Sequence, residues 1–160
     1  MNELNTLDHD KLIKEIKGIT RIVINACHGG FGLSSDGILR YLELCGTPVW
    51  REATHSMVPV KHWLVPPGSE RITEPSPQEW ASMTLTERQR RNQIYSTQVF
   101  YDRDIPRDDQ FLVKTVLELG DKANGNHAEL KVIEIPANVD WIIEDYDGKE
   151  WVAEKHRTWS

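Results

Sequence analysis

The chain has little of several features that would assign it to a familiar class. It contains two cysteines among 160 residues, and Cys27 and Cys45 do not have the spacing of metal ligands. Without an export signal, reduced thiols are expected. Lys and Arg number 19 against 25 Asp and Glu, and the net charge of −6 argues against general nucleic-acid binding, which needs a basic face. No run approaches the roughly 18 apolar residues of a membrane span. A cytoplasmic protein without a membrane partner is therefore expected.

What is present fits an ordinary globular chain. Hydrophobic residues make up 39% and charged residues 28% of the sequence, and no internal repeat occurs. The length suits one compact domain over residues 1–160, with a helical extension at 1–18 and a core at 19–160.

The order of local signals predicts a mixed α/β layer fold. It starts with a strand, a glycine loop and a helix, and it ends in an antiparallel hairpin at Asp147-Gly148. Two capping boxes, at Ser76 and Thr84, mark helix starts in the middle of the chain. The predicted elements are helix 8–17, strand 20–26, helix 36–45, an extended segment at 57–60, helices 77–82, 85–96 and 109–123, strand 128–135, and hairpin strands 141–146 and 149–154.

The glycine loop between the first strand and its helix is the main candidate site. Gly29, Gly30 and Gly32 allow positive φ and close backbone approach, and a helix N-terminus follows them. Free N–H groups at such a place favour an anion. The candidate ligand-binding residues here are Asn25, His28, Gly29, Gly30, Phe31, Gly32 and Ser34.

The glycine motif by itself is not specific. It lacks the Lys-Ser/Thr of a phosphate-binding P-loop and the G-x-G-x-x-G spacing of a dinucleotide fold. The alternative is that the glycines only form a tight strand-to-helix turn. Cys27 and His28 point to opposite faces of an extended chain, so they do not form a nucleophile and base, and no catalytic residue is predicted.

Arginines supply further candidates. Arg88 and Arg91 share a helix face near Tyr95 and could grip an anion, although a solvated helix face would look the same. Arg107 lies in a turn that is rich in aspartate. There the favoured interpretation is an internal salt-bridge network with Asp108 capping the next helix, and no metal site is predicted.

The C-terminal tail is the second candidate region. His156, Arg157 and Trp159 offer a protonatable, a bidentate and a stacking group within four residues. The alternative is that the last strand only completes a sheet and that Trp159 fills the core.

Several strings together resemble a family of small proteins of tailed bacteriophages and prophages. The strings are IVINACHGGFGLS (22–34), YDRDIPRDD (101–109), LELGDKANG (117–125), LKVIEIP (130–136) and YDGKEWVAEKHRTW (146–159). The resemblance covers most of residues 20–160 and is weakest over 47–75. It implies a setting, the cytoplasm of an infected bacterial host, and no mechanism. Accessory genes of this kind often act on host metabolism or immunity, including by binding nucleotide immune signals.

The expected function is that of a phage accessory protein that binds a small anionic ligand, such as a nucleotide or nucleotide-derived immune signal, without turnover. The loop would hold phosphate, arginines would clamp charge, and Tyr or Trp would stack a base. No cofactor is expected, and homo-oligomerisation is compatible with the sequence. One alternative is a hydrolase or transferase that uses His28 or His156 with Asp108 or Glu154. Another is a protein inhibitor of a host factor.

Overall fold

The structure is a computed structural model, and it describes residues 18–55, 59–68 and 70–156. These residues form a mixed α/β fold with antiparallel strand pairs. They fall into two compact units: the first contains residues 18–37 and 105–156, and the second contains residues 38–104. The helix predicted over 8–17 lies outside the described residues, and the single domain over 1–160 stays a prediction.

The first unit is built on an antiparallel pair of strands that are distant in sequence. Strand β1 (Ile19–Asn25) pairs along its whole length with β4 (Leu130–Pro136), so that Val23 lies opposite Val132. The inner half of β1 is fully buried, since its apolar residues form the core of this unit. The predicted strand over 20–26 is thus confirmed.

A C-terminal hairpin completes the strands of the first unit. Strands β5 (Trp141–Tyr146) and β6 (Lys149–Glu154) pair through a two-residue turn. Asp147 has φ of 50° and Gly148 has φ of 81°, which is the left-handed pair that a type I′ turn requires. The hairpin predicted from Asp-Gly is confirmed.

The helix that packs on β1 and β4 begins one residue later than predicted. Helix Gln110–Leu119 is capped by Asp109, whose carboxylate accepts from the N–H groups of Phe111 and Leu112 at 2.8 and 2.9 Å. Asp108 is therefore not the cap. The helix also stops before the predicted residue 123, because Gly120 leaves the helical conformation at φ 55° and a 3₁₀ turn follows over Gly120–Ala123.

The predicted strand, glycine loop and helix at the start of the core are confirmed. Helix α1 (Ser35–Leu44) follows the loop, and its first turn is capped by the hydroxyl of Ser34, which accepts from the N–H of Gly37 at 3.0 Å. Gly46, with φ of 69°, follows the last turn.

The second unit combines a short hairpin with two capped helices. Strands β2 (Trp50–Ala53) and β3 (Val60–Trp63) pair in antiparallel fashion, and Val99 forms a bridge to Trp63. Helices α2 (Pro77–Ser82) and α3 (Leu85–Gln98) begin at the predicted capping boxes. The helix Gln110–Leu119 of the first unit is named α4.

We expect the carboxyl groups of Glu79 and Glu87 to titrate below their ordinary pKa of 4.5, because each accepts the backbone N–H of its cap residue, Ser76 or Thr84, at 2.7 Å. A carboxyl group whose pKa is lower in the folded protein stabilises the folded state at pH values above its ordinary pKa. This stabilisation is lost as the pH falls through the lowered pKa.

Carboxyl-carbon NMR titration measures both values. Thr84→Ala should raise the pKa of Glu87, since the Thr84 hydroxyl also donates to that carboxylate at 2.8 Å. The same substitution should leave the pKa of Glu79 unchanged, and Glu79 is therefore the internal control. Ordinary titration of Glu87 in the unmodified protein would contradict the expectation.

Candidate functional site

The glycine loop of the first unit is anchored by a buried asparagine. Asn25 ends β1 with none of its surface exposed. Its amide donates to the carbonyls of Cys27 and Gly148, both at 2.7 Å, and its Oδ1 accepts the N–H of Glu129 at 2.8 Å. One side chain therefore connects the loop, the turn of the β5–β6 hairpin and the segment that leads into β4. The sequence predicts Asn25 as a ligand contact. In the structure its buried side chain is bonded to the backbone of three segments and so holds the loop in place.

Close backbone contacts hold the loop on two sides. A Cβ on Gly29 would overlap the carbonyl of His127, and a Cβ on Gly148 would lie 2.8 Å from both the Gly30 nitrogen and the His28 oxygen. A Cβ on Gly125 would lie 2.9 Å from the oxygen of Gly32. Only glycine fits at such approaches. Two of these glycines lie outside the loop itself, so the loop geometry depends on distant segments.

A bidentate ion pair crosses the base of the loop. Arg107 donates to both oxygens of Glu150 at 2.9 Å, and the side chains are only 19% and 10% exposed. Glu150 also accepts the backbone N–H of Asn25 at 2.8 Å. The guanidinium of Arg107 lies 3.5 Å from the ring centre of Phe31. Arg107 therefore pairs with an acid from β6, which sequence reasoning did not include, and it holds Phe31 in place.

The thiol of Cys27 has two polar neighbours beneath the loop. It contacts the carbonyl of His127 at 3.2 Å and the Oδ1 of Asn25 at 3.4 Å. His28, the next residue, is exposed. The partners of the thiol are therefore Asn25 and the backbone of His127.

Several backbone N–H groups of the loop make no hydrogen bond within the described residues. Within the described part of the chain, those of His28, Gly29, Phe31 and Gly32 have no hydrogen-bond acceptor. Gly30 has φ of 92°, and a Cβ there would meet nothing within 4 Å. Ser34, at the far end, is engaged in capping α1 and also donates to the carbonyl of Lys122. The chemistry available at the loop is thus donation from the main chain, with His28 beside it.

The arginine candidates Arg88 and Arg91 lie on helix α3 of the second unit. Arg88 donates to the carbonyls of Trp80 and Ala81 at 3.1 and 3.3 Å, and it stacks over the Trp80 ring. It therefore binds carbonyl groups in the last turn of helix α2. Arg91 lines a cleft of about 230 Å³ with Ile94 and Met83.

Tyr95, on the same helix, packs its ring against Trp63, with the ring centres 5.9 Å apart. The Nζ of Lys61 lies 5.6 Å from the Tyr95 ring centre. Sequence reasoning had selected Tyr95 but not Lys61 or Trp63, because their spacing follows no motif.

The tail candidates are described only in part. His156 is exposed, two residues beyond the end of β6. Arg157 and Trp159 lie outside the described residues. Their assignment to a ligand site stays a prediction.

No known protein family, curated protein or solved structure matches this chain. In the part of the chain that the structure describes, no helix is long and apolar enough to cross a membrane. Among the same residues, no group of three or more His, Cys, Asp or Glu side chains is placed to hold a metal ion.

Proposed function

We propose that this protein binds a small anionic ligand, of the nucleotide class, at the glycine loop and releases it unchanged. The observation that carries the proposal is the row of backbone N–H groups at His28, Gly29, Phe31 and Gly32, which have no acceptor among the described residues. Main-chain donors on a constrained loop suit phosphate oxygens because little ordering is required on binding.

The rigidity of the loop supports this proposal. A buried side chain such as Asn25 is stabilising only when all of its polar atoms are bonded, and here they are. The result is a loop with a fixed shape. A fixed shape helps recognition, whereas a simple strand-to-helix turn would not need three separate anchors.

The charge at the loop favours a modest role for arginine. The positive charge of Arg107 is balanced by Glu150, so phosphate would meet N–H groups and His28 rather than a free guanidinium. His156, Arg157 and Trp159 remain proposed contacts. Binding through main-chain donors predicts selection by shape more than by charge.

The absence of turnover is inferred from the separation of the two reactive side chains. Because the Cys27 thiol is directed toward His127 and Asn25, it does not form a pair with the exposed His28. The setting, a bacteriophage protein that sequesters a nucleotide immune signal in the host cytoplasm, depends on the sequence resemblance alone.

Native mass spectrometry of the freshly purified protein, followed by chromatography of the released small molecules, tests the proposal. A nucleotide that is bound and remains intact after hours with excess protein supports it. Conversion to a product, lost in His28→Ala or His156→Ala, would replace it with the enzyme alternative. A protein that carries no nucleotide and binds none from a panel of nucleotides contradicts it.

We expect Gly30→Val to weaken nucleotide binding at least tenfold, about 1.4 kcal/mol. A β-branched residue resists the φ of 92°, and its side chain would occupy the open space beside the N–H groups. Calorimetry against the nucleotide found by mass spectrometry measures the effect.

Gly46→Val is the matched control, because Gly46 also has positive φ, at 69°, and open space around its Cβ, but it follows helix α1. Circular dichroism confirms that both variants fold. A folded Gly30→Val protein with unchanged affinity would remove the loop from the site.

A further inference from the structure

The second unit contains a cavity that the sequence did not predict. It has a volume of about 510 Å³ and is lined by the β2–β3 hairpin and by residues 68 and 71–74. This volume lies within the range of small-molecule sites. Lys61, Trp63 and Arg71 line it together.

Both cations of the cavity are fixed by packing. The guanidinium of Arg71 lies 4.6 Å from the ring centre of Trp63, and it donates twice to the carbonyl of Val65 at 3.1 Å. Lys61 lies over the ring of Tyr95. Only 14% of each cationic side chain is exposed. Contacts other than the ion pairs with acidic partners therefore also hold both cations in place.

Those acidic partners are at the surface. Lys61 pairs with Glu74, which is 70% exposed, and Arg71 pairs with Glu52, which is 50% exposed. Burial lowers the pKa of Lys61, but hydrogen bonds to Glu74 and Tyr95 outweigh it and raise the pKa overall, so the ammonium stays charged at neutral pH. Exposed carboxylates hold such cations weakly because solvent competes with them. Another anion can replace them.

Trp63 and Tyr95 connect the two cations. Arg71 lies over the Trp63 ring, Lys61 lies over the Tyr95 ring, and the two ring centres are 5.9 Å apart. Trp63 is 4% exposed, so this pair of rings is a buried support for the charged groups. Two cations that one aromatic pair holds beside the same cavity are the observation that points to a ligand.

We propose that this cavity binds a small anion, a carboxylate or a phosphate, whose oxygens replace Glu74 and Glu52 on Lys61 and Arg71. The site belongs to the second unit and does not rest on the function proposed for the glycine loop. Its size admits a ring as well as the anionic group.

The test follows the indole resonance of Trp63 in ¹⁵N NMR spectra, assigned by its loss in Trp63→Phe. Benzoate and inorganic phosphate are the probes, titrated separately to millimolar concentrations. A saturable shift with benzoate alone assigns the site to carboxylates, and one with phosphate alone assigns it to phosphates. No saturable shift with either probe overturns the proposal.

Variants of the two sides of one ion pair sharpen the test. Lys61→Gln should weaken binding of the active probe about tenfold. Glu74→Gln should tighten it about threefold, because it removes the competing carboxylate. Since Glu74 is exposed, this second variant decides the matter even where Lys61→Gln does not fold.

Two controls separate this site from other effects. Lys131→Gln removes the same charge from an exposed pair with Glu129 in the first unit and should leave affinity unchanged. Gly30→Val should also leave it unchanged, so failure at the glycine loop and failure here are distinguishable. Equal affinities in the unmodified protein, Lys61→Gln and Glu74→Gln would show that the probe binds elsewhere and overturn the assignment.

Discussion

Replacing Asn25 with leucine should lower the free energy of unfolding by about 3–5 kcal/mol. The substitution keeps the approximate volume but leaves the carbonyls of Cys27 and Gly148 and the N–H of Glu129 without their partner. These hydrogen bonds are part-buried, and a polar group left without a partner away from water costs about 1–3 kcal/mol. Natural domains have only about 5–15 kcal/mol of stability in total, so this single change should remove a large part of it.

Urea denaturation followed by circular dichroism measures the loss. Asn124→Ala is the control, because the Oδ1 of Asn124 accepts a single N–H, that of Leu130, at 2.9 Å. It should cost about 1 kcal/mol. Similar losses in the two variants would show that the three bonds of Asn25 do not act together, and the loop would then lack its main anchor.

Breaking the pair between Arg107 and Glu150 should cost about 3 kcal/mol from either side. Arg107→Met leaves the Glu150 carboxylate, which is 10% exposed, without its counter-charge. Glu150→Gln likewise leaves the Arg107 guanidinium, which is 19% exposed, without its counter-charge. Removing both charges in the double variant Arg107→Met, Glu150→Gln should cost less than the sum of the single changes, because neither charge is then left unpaired.

The matched comparison is Arg21 with Glu134, a pair of similar length on β1 and β4. Its side chains are 42% and 52% exposed, so Arg21→Met should cost no more than about 1 kcal/mol. Thermal and urea denaturation of all the variants gives a double-mutant cycle. Additive losses in the Arg107 and Glu150 cycle would mean that the contact contributes little, whatever its length.

Elements with local signals were predicted from the sequence. Each of these signals lies within four consecutive residues, so no distant part of the chain is needed to form it. The structure has the capping boxes at Ser76 and Thr84 and the turn at Asp147-Gly148, as predicted. The cap of α4 was placed one residue early because Asp108 and Asp109 are both good cap residues, and only the packing of the helix chooses between them.

Non-local features were not predicted. Strand β1 pairs with β4, more than one hundred residues later in the chain. The alternation of apolar residues predicts a strand, but it does not identify the partner strand or the register. The sequence predicts Arg107 as a candidate ligand contact, with a salt-bridge network to neighbouring aspartates as the favoured interpretation. The structure instead pairs it with Glu150, because the fold brings β6 to the base of the loop. The cavity around Trp63 likewise depends on residues from several segments, each unremarkable in sequence.

The contact between Gly148 and the glycine loop also decides where the molecule can be modified. Two-residue hairpin turns are usually convenient places for an inserted peptide or a fluorescent label. Here the turn lies against the backbone of His28 and Gly30, and a Cβ at Gly148 already has no room. A label at Asp147-Gly148 would perturb the loop it was meant to report on. The exposed turn at Ala137 and Asn138, between β4 and β5, is the better attachment point in the same unit.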